Sequence, residues 1–179
     1  ESYFNPQKVY FKLEEVYQRI KEVYRRYNIN YISIQTGQGY HFVFKLPYEN
    51  PLHKKLVSIS DIEPTLKGKY NSTTVRRKKI VSEESARGFH NAGRIIEFLA
   101  HILLQNMSDY KGLPVVFSDV SIGNNKEAVS IDLSMYGDPI FLRDIRVPFS
   151  SYQKHKIYAK FKHSAQHIQP FIVLPREIN

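Results

Sequence analysis

Residues 31–46 have the sequence YISIQTGQGYHFVFKL, and this stretch decides the fold. Residues 31–34 alternate in polarity and are rich in isoleucine, which favours a β-strand. Residues 36–39 contain two glycines and predict a tight turn, after which residues 40–46 predict a second strand. The stretch therefore predicts a β-hairpin with His41 just after its turn.

Helical and extended patterns alternate on both sides of this hairpin. Residues 7–27 carry apolar side chains at helical spacing after the helix-start pair Asn5-Pro6, and residues 91–106 predict a second helix from the same spacing. Four further segments are extended and predict strands: residues 115–120, 128–133, 140–147 and, as an edge strand, 171–174. This mixed order predicts an α+β fold with a largely antiparallel sheet flanked by helices.

Residues 48–90 follow no single pattern, and we interpret them as an insertion or basic loop region within a single domain of residues 1–179. Asn50-Pro51 predicts the start of a short helix. Residues 67–79 are polar and basic, and they predict a loop or an exposed hairpin. Part of this stretch is a candidate contact for a nucleic-acid backbone, and a solvated loop explains it equally well. The basic residues concerned are Arg76, Arg77, Lys78 and Lys79.

The composition is that of a basic, globular chain. Lys and Arg number 26 against 17 Asp and Glu, which gives a net charge of +9 and a pI near 9.6. This charge favours a polyanionic partner such as nucleic acid, although many soluble proteins have a basic surface without one. The absence of cysteine excludes disulfides, thiolate zinc sites, iron–sulfur clusters and a cysteine nucleophile.

No segment is long and apolar enough to cross a bilayer, and the first residues do not form a signal peptide. We therefore expect a soluble protein with no membrane partner. The expected location is the cytoplasm, in association with the nucleoid, or the nucleus or an organelle if the source is a eukaryote.

Three segments carry groups that suit phosphate or metal chemistry, and the first is the glycine turn (residues 36–39) together with His41. Glycine permits positive φ and a close approach of the backbone to a ligand. Backbone N–H groups in such a turn can hold phosphate oxygens, and a histidine on the next strand can donate a hydrogen bond to a phosphate. The alternative is a structural hairpin with a packed histidine.

The second segment is Ser130-Ile-Asp132-Leu133, at the end of a predicted strand. A carboxylate amid apolar neighbours is costly to bury unless it is paired or bound to a metal, and Mg²⁺ or Mn²⁺ would use it. The alternative is that Asp132 caps the turn of residues 136–139.

The third segment is the extended stretch of residues 141–154. Cations and hydroxyls that recur along such a stretch can bind a triphosphate. The alternative is a basic surface strand with ordinary salt bridges. The candidate residues are Arg143, Arg146, Ser150 and Lys154.

Taken in order, these segments resemble the archaeo-eukaryotic primase superfamily, which includes the small catalytic primase subunit and the primase-polymerases. The family's glycine-rich hairpin is matched by Thr36, Gly37, Gly39, Tyr40 and His41. Its hydrophobic-Asp motif is matched by Ile131-Asp132, and its later basic segment by Arg143, Ile145, Arg146, Pro148, Ser150 and Lys154. Tyr152 stands where the family often has histidine, and residues 48–125 match no motif.

The resemblance implies a primase-polymerase catalytic core with an RRM-like palm. The implied activity is template-directed nucleotidyl transfer that makes RNA or DNA primers in DNA replication or repair. Its implied substrates are a single-stranded DNA template and an NTP or dNTP, and its implied partners are a large primase subunit or a replicative helicase. His41, Arg146 and Lys154 would neutralise the triphosphate, while Ser150 and the glycine turn would add hydrogen bonds.

The resemblance also implies a two-metal mechanism that uses Mg²⁺ or Mn²⁺. Asp132 would be one metal ligand, and it and His41 would be the catalytic residues. The family's other metal ligands are a pair of acids just before the first helix. We expect this pair upstream of Glu1, with Glu1 as its last acid, so that the chain lacks the N-terminal portion of the domain.

Two other classes of protein fit parts of the pattern. One is a non-catalytic nucleic-acid-binding domain derived from this fold, which would lack the acid pair. The other is a replication-initiator nuclease, which would need a metal-binding histidine pair and a nucleophilic tyrosine. The chain has no His-x-His pair, and His163 and His167 share only the i, i+4 spacing, so this class fits less well.

Overall fold

The computed structural model describes residues 6–37, 39–71, 82–117, 127–133, 147–152 and 171–178. These residues form an α+β structure of helices and small sheets, which confirms the predicted class. The chain divides into two compact units, the first formed by residues 1–45 and 145–179 and the second by residues 46–144. Among the described residues, no helix combines the length and the apolar character needed to cross a membrane.

In its described residues, the first unit contains one long helix and most of the described strands. Its elements are α1 (Pro6–Arg26), β1 (Ile32–Gln35), β2 (Tyr40–Val43), β5 (Ser151–Tyr152), β6 (Phe171–Ile172) and β7 (Leu174–Ile178). A three-stranded antiparallel sheet has the order β2-β1-β7, and β5 pairs with β6 in a separate antiparallel ribbon. The predicted hairpin is therefore confirmed. The edge strand predicted over residues 171–174 is confirmed only in part, because residues 171–172 pair with β5, and β7, which begins at Leu174, lies at the edge of the three-stranded sheet.

Helix α1 ends in a motif that directs the chain into β1. Asn28 has a φ of 55°, a conformation that asparagine tolerates better than most residues. The Ile29 amide donates to the Tyr24 carbonyl at 2.9 Å, and the Asn28 amide donates to the Arg25 carbonyl at 3.1 Å. This pair of bonds is a Schellman motif, which satisfies carbonyls that the end of a helix leaves without partners.

Aromatic rings fill the space between α1 and the hairpin. Tyr24 lies 5.4 Å from Tyr31 and 5.3 Å from Phe42, measured between ring centroids, and both contacts are edge-on. Tyr17 stacks against Phe42 at 5.3 Å and is 1% exposed. Such pairs contribute about 0.5–1.5 kcal/mol each beyond their buried area, so they fix the hairpin on the helix.

The second unit is mainly helical. Its elements are α2 (Pro51–Ile59), α3 (Pro64–Asn71), α4 (Glu83–Gln105), β3 (Val115–Phe117) and β4 (Val129–Ile131). Strands β3 and β4 are parallel, with Val116 opposite Ser130, so this pair departs from the antiparallel arrangement predicted for the sheet. Helix α2 begins after Asn50, whose side chain accepts a hydrogen bond from the Leu52 amide, as the Asn-Pro pair predicts.

Two predictions about this unit are wrong. Residues 67–71 belong to helix α3 instead of a loop or hairpin. Helix α4 begins at Glu83 and not at Asn91, because Ser82 accepts a hydrogen bond from the Ser85 amide at 3.2 Å and Glu83 and Glu84 occupy the first turn. The rest of the predicted loop, residues 72–79, and the strand predicted over residues 140–147 lie outside the described residues, apart from Val147, which is not in a strand.

Helices α2 and α4 approach closely at a glycine, and this contact gives a test of the packing. We expect Gly88→Ala to destabilise the chain, because a Cβ at Gly88 would lie 2.9 Å from Nε2 of His53. His53 is 5% exposed and packs edge-on against Tyr48, so it has little room to move. Overpacking costs about 1–3 kcal/mol, which exceeds the roughly 1 kcal/mol gained when alanine replaces a helical glycine.

Gly68→Ala is the matched control, because a Cβ there meets nothing within 4 Å. Only the helix-propensity gain of about 0.5–1 kcal/mol then remains. Urea unfolding of both variants measures the difference, and equal midpoints for the two would contradict this account of the α2–α4 contact.

Candidate functional site

The glycine turn of the first unit is closed by Thr36. The Thr36 amide donates to the Gly39 carbonyl at 2.8 Å, and the Thr36 hydroxyl donates to the same carbonyl at 3.0 Å. Thr36 is 2% exposed, so its side chain is buried under the turn. The two ends of the turn are therefore joined before any ligand binds.

The fold itself gives little reason for glycine at position 39. A Cβ built there would lie 3.8 Å from Cδ1 of Leu13, which is an ordinary contact, and the φ of Gly39 lies outside the left-handed region. The sequence-based argument from positive φ is therefore wrong for Gly39. Close approach of a ligand to the backbone stays a prediction for this glycine.

His41 lies on the face of the sheet that points away from α1. Ser33 and Phe42 are paired across the hairpin and both contact Tyr17 of the helix, so they face α1. Ile34 and His41 form the next pair, and successive residues of a strand point to opposite faces. His41 is half-buried, which leaves part of its surface accessible on this face.

A polar cluster on the opposite face fixes β2 and β7 against α1, and we call it the Arg176 cluster. Arg176 donates to both carboxylate oxygens of Glu14, at 2.6 and 2.8 Å, and also to the Tyr40 hydroxyl. Its guanidinium carbon lies 4.0 Å from the centroid of the Tyr17 ring. Arg176 and Glu177 both reach α1 because the register between β1 and β7 shifts after Ser33.

The charges of this cluster are stabilised by their partners. The hydrogen bonds from Arg176 lower the pKa of Glu14, and the bond to Glu14 in turn raises the pKa of Arg176. Burial raises the pKa of Tyr40 to about 12, so its hydroxyl stays protonated at physiological pH. Sequence reasoning missed this cluster, since no local pattern links Glu14 to a residue 162 positions away.

Ser150 lies in a second turn of the first unit, which we call the Ser150 turn (residues 147–150). The Ser150 amide and hydroxyl both donate to the Val147 carbonyl, at 3.1 and 2.6 Å. To bind a phosphate oxygen, the hydroxyl would have to exchange this carbonyl for the ligand.

Backbone bonds attach the Ser150 turn to the same sheet as the glycine turn. The Val173 amide donates to the Ser150 carbonyl at 2.9 Å, and the next residue, Leu174, pairs with Gln35 in β1. Gln35 immediately precedes Thr36. The first unit thus contains both Ser150 and the glycine turn, two predicted nucleotide-binding segments that are far apart in sequence, and connects them through β7 and β1.

Asp132 directly follows β4 in the second unit, at the end of a strand as predicted. Its side chain is exposed, so the argument that rested on the cost of burying it is wrong. Within the described ranges, no group of three or more His, Asp or Glu side chains is placed to hold a metal ion. The described residues thus offer one of the carboxylates that the predicted metal site requires, and the role of Asp132 stays a prediction.

The remaining predicted site residues lie outside the described part of the chain, and their roles stay predictions. They are Glu1, Arg76, Arg77, Lys78, Lys79, Arg143, Arg146 and Lys154.

Comparison with known proteins finds no relative: no family model, no curated protein and no solved structure matches the chain. The chemistry of the two turns and of Asp132 therefore has to carry the interpretation of function.

Proposed function

We propose that this chain is the catalytic domain of a primase-polymerase, which joins nucleotides into a primer on a single-stranded DNA template. The observation that carries the proposal is that the Ser150 turn is bonded to Val173, the residue before β7, and that β7 pairs with the strand β1 from which the glycine turn follows. Both segments are predicted from sequence to bind the triphosphate, and both belong to the first unit.

The groups around these turns suit a triphosphate. Backbone N–H groups and the half-buried side chain of His41 can donate hydrogen bonds to phosphate oxygens. None of these groups carries a negative charge that would repel the phosphates. The net charge of +9 favours both the nucleotide and the template strand. The fold itself does not require glycine at position 39, and a glycine permits close approach of a ligand to the backbone.

Metal chemistry completes the proposal. In a two-metal mechanism, Asp132 would bind Mg²⁺ or Mn²⁺, and the metal ions would activate the attacking hydroxyl and stabilise the leaving pyrophosphate. The exposure of Asp132 suits a ligand that is open to metal and substrate. In this scheme His41 and the cations of residues 141–154 neutralise the triphosphate.

The proposal is tested by nucleotide incorporation, with any natural sequence that precedes Glu1 included in the protein. Labelled NTPs and dNTPs are supplied with several single-stranded templates, with and without a primer, in Mg²⁺ and in Mn²⁺. We expect metal-dependent extension products. If neither priming nor extension appears and the protein still binds single strands, the non-catalytic binding domain replaces the polymerase as the better interpretation.

A separate prediction concerns the glycine turn. We expect Gly39→Ala to weaken binding of a nucleoside triphosphate about tenfold, the equivalent of roughly one hydrogen bond, because its Cβ would occupy the position of the phosphate. Stability should not fall, since the added Cβ meets only Leu13 at 3.8 Å. Calorimetric titration and thermal unfolding measure the two quantities, with Gly68→Ala as the control for a harmless glycine substitution. Unchanged affinity in Gly39→Ala would exclude close phosphate approach at this residue.

A further inference from the structure

The Ser150 turn holds an aromatic residue in a conformation that a bulky side chain disfavours. The bond from the Ser150 amide to the Val147 carbonyl closes a four-residue turn with Pro148 second and Phe149 third. Phe149 has a φ of 67°, the value that a type II turn requires at its third position. Glycine normally supplies this conformation, whereas for a bulky residue it is strained.

The strained backbone is fixed on both sides. The Phe149 amide donates to the Val173 carbonyl at 2.6 Å, and the Val173 amide donates to the Ser150 carbonyl at 2.9 Å. Val173 is fully buried, so these bonds anchor the turn to the interior of the unit. The Phe149 ring is nevertheless 73% exposed, and therefore burial of the ring does not offset the strain.

Backbone strain that the fold does not require is found most often at functional sites. The chemistry of the exposed Phe149 ring limits what the function of this turn is. A phenyl ring offers a flat apolar face and no hydrogen-bonding group. Nucleobases stack on such faces in proteins that bind nucleotides or single strands. The turn is bonded to Val173, next to the residue that pairs with Gln35 of β1, so it belongs to the same unit as the glycine turn where the phosphates are proposed to bind.

We propose that Phe149 is a stacking platform for a nucleobase. The base belongs either to the incoming nucleotide or to the single strand, and the chemistry of recognition is the same for both. The inference rests on the proposed function, since it adds a base contact to the surface assigned to the triphosphate.

The chain contains no tryptophan, which allows a direct measurement of stacking. Phe149→Trp places a single fluorophore on the Ser150 turn, and a stacked nucleobase quenches its emission. Phe11→Trp is the matched control, because Phe11 is 88% exposed on α1 in the same unit. The probes are ATP, dTTP, oligothymidylate and inorganic tripolyphosphate, which has phosphates but no base. We expect the base-containing probes to quench tryptophan emission in Phe149→Trp and not in Phe11→Trp, and tripolyphosphate to quench neither.

Binding by Phe149→Leu and Phe149→Gly separates stacking from other roles. Both variants should bind base-containing probes roughly 5- to 150-fold more weakly, the range expected for loss of one stacked base. Their affinity for tripolyphosphate should equal that of the wild type. Phe149→Gly should also melt no lower than the wild type, because glycine relieves the strain of the positive φ.

The source of the base follows from which probe responds. Quenching by ATP and dTTP that tripolyphosphate competes away assigns the base to the incoming nucleotide, while quenching by oligothymidylate alone assigns it to the template strand. Wild-type affinity in Phe149→Leu would overturn the stacking proposal. If the wild-type protein binds nucleotides or single strands but the tryptophan emission of Phe149→Trp never changes, only this inference fails. If the wild-type protein binds neither, the proposed function fails with it.

Discussion

Asp132→Asn should lower the rate of metal-dependent nucleotide incorporation by a factor of about 10³ or more. A carboxylate ligand supplies the charge that holds a divalent ion, and bound metal contributes several kcal/mol of transition-state stabilisation in reactions of this kind. Asparagine preserves the shape of the side chain and removes the charge. The fold should be unaffected, because Asp132 is exposed and follows the last residue of β4.

Glu127→Gln is the matched control for this substitution. Glu127 is also exposed and lies just before β4, so its neutralisation removes the same charge from the other end of the strand. We expect it to keep most of the activity. Incorporation assays across a range of Mg²⁺ and Mn²⁺ concentrations, together with thermal unfolding, distinguish loss of metal from loss of fold. An Asp132→Asn protein that retained wild-type turnover would remove Asp132 from the metal site.

The parts of the fold that could be predicted from sequence are those with local causes. The hairpin followed from alternating residues around a glycine turn, and α1 followed from apolar residues at helical spacing, as the structure confirms. The start of α4 was missed although its cause is also local. Ser82 followed by two glutamates is a helix start, and it was overlooked because the apolar periodicity becomes strong only after Asn91.

Long-range features could not be predicted in the same way. The Arg176 cluster depends on a shift of register between β1 and β7, which no single segment encodes. The positive φ of Phe149 contradicts the preference of its own side chain, so a sequence pattern points away from it. Both features lie in the unit that contains the predicted triphosphate-binding turns, and both depend on contacts with residues 173–178, which are distant in sequence.

For the same reason, the sequence predicts the residues of the candidate site better than their arrangement and exposure. The motif positions identify Thr36 and Ser150. The motifs do not show that both residues are connected to the same sheet. Asp132 was correctly placed at the end of a strand, but its burial was misjudged because apolar sequence neighbours in a strand point to both faces and do not reveal exposure. Motifs therefore identified residues, while the tertiary structure determined which of them share a unit.

The largest stability effect is expected at Asn91, which connects α4 to the end of α2. Asn91 is 1% exposed, and its amide donates to the carbonyls of Leu56 and Ser60, at 2.8 and 3.0 Å. The carbonyl oxygen of the Asn91 side chain accepts a hydrogen bond from the Ser60 hydroxyl at 2.7 Å. The last four carbonyl groups of a helix have no hydrogen-bond donor within that helix. In α2, one of these carbonyl groups belongs to Leu56.

Asn91→Ala should lower the free energy of unfolding by about 3–5 kcal/mol, because it leaves these carbonyls without donors and opens a cavity. That is a large share of the roughly 5–15 kcal/mol typical of a domain. Gln105→Ala removes an amide from an exposed position of the same helix and should change stability by no more than about 0.5 kcal/mol. Urea unfolding followed by circular dichroism measures both.

A double-mutant cycle with Ser60→Ala identifies the cause of the loss. Ser60→Ala alone should cost less than Asn91→Ala, because the two bonds from the Asn91 amide remain. The double variant should be more stable than the sum of the single losses predicts, by about 1 kcal/mol, since each substitution already breaks the bond that joins the pair. Strict additivity would show that the bond from the Ser60 hydroxyl adds nothing to stability. An Asn91→Ala protein as stable as Gln105→Ala would show that this buried amide does not hold α2 to α4.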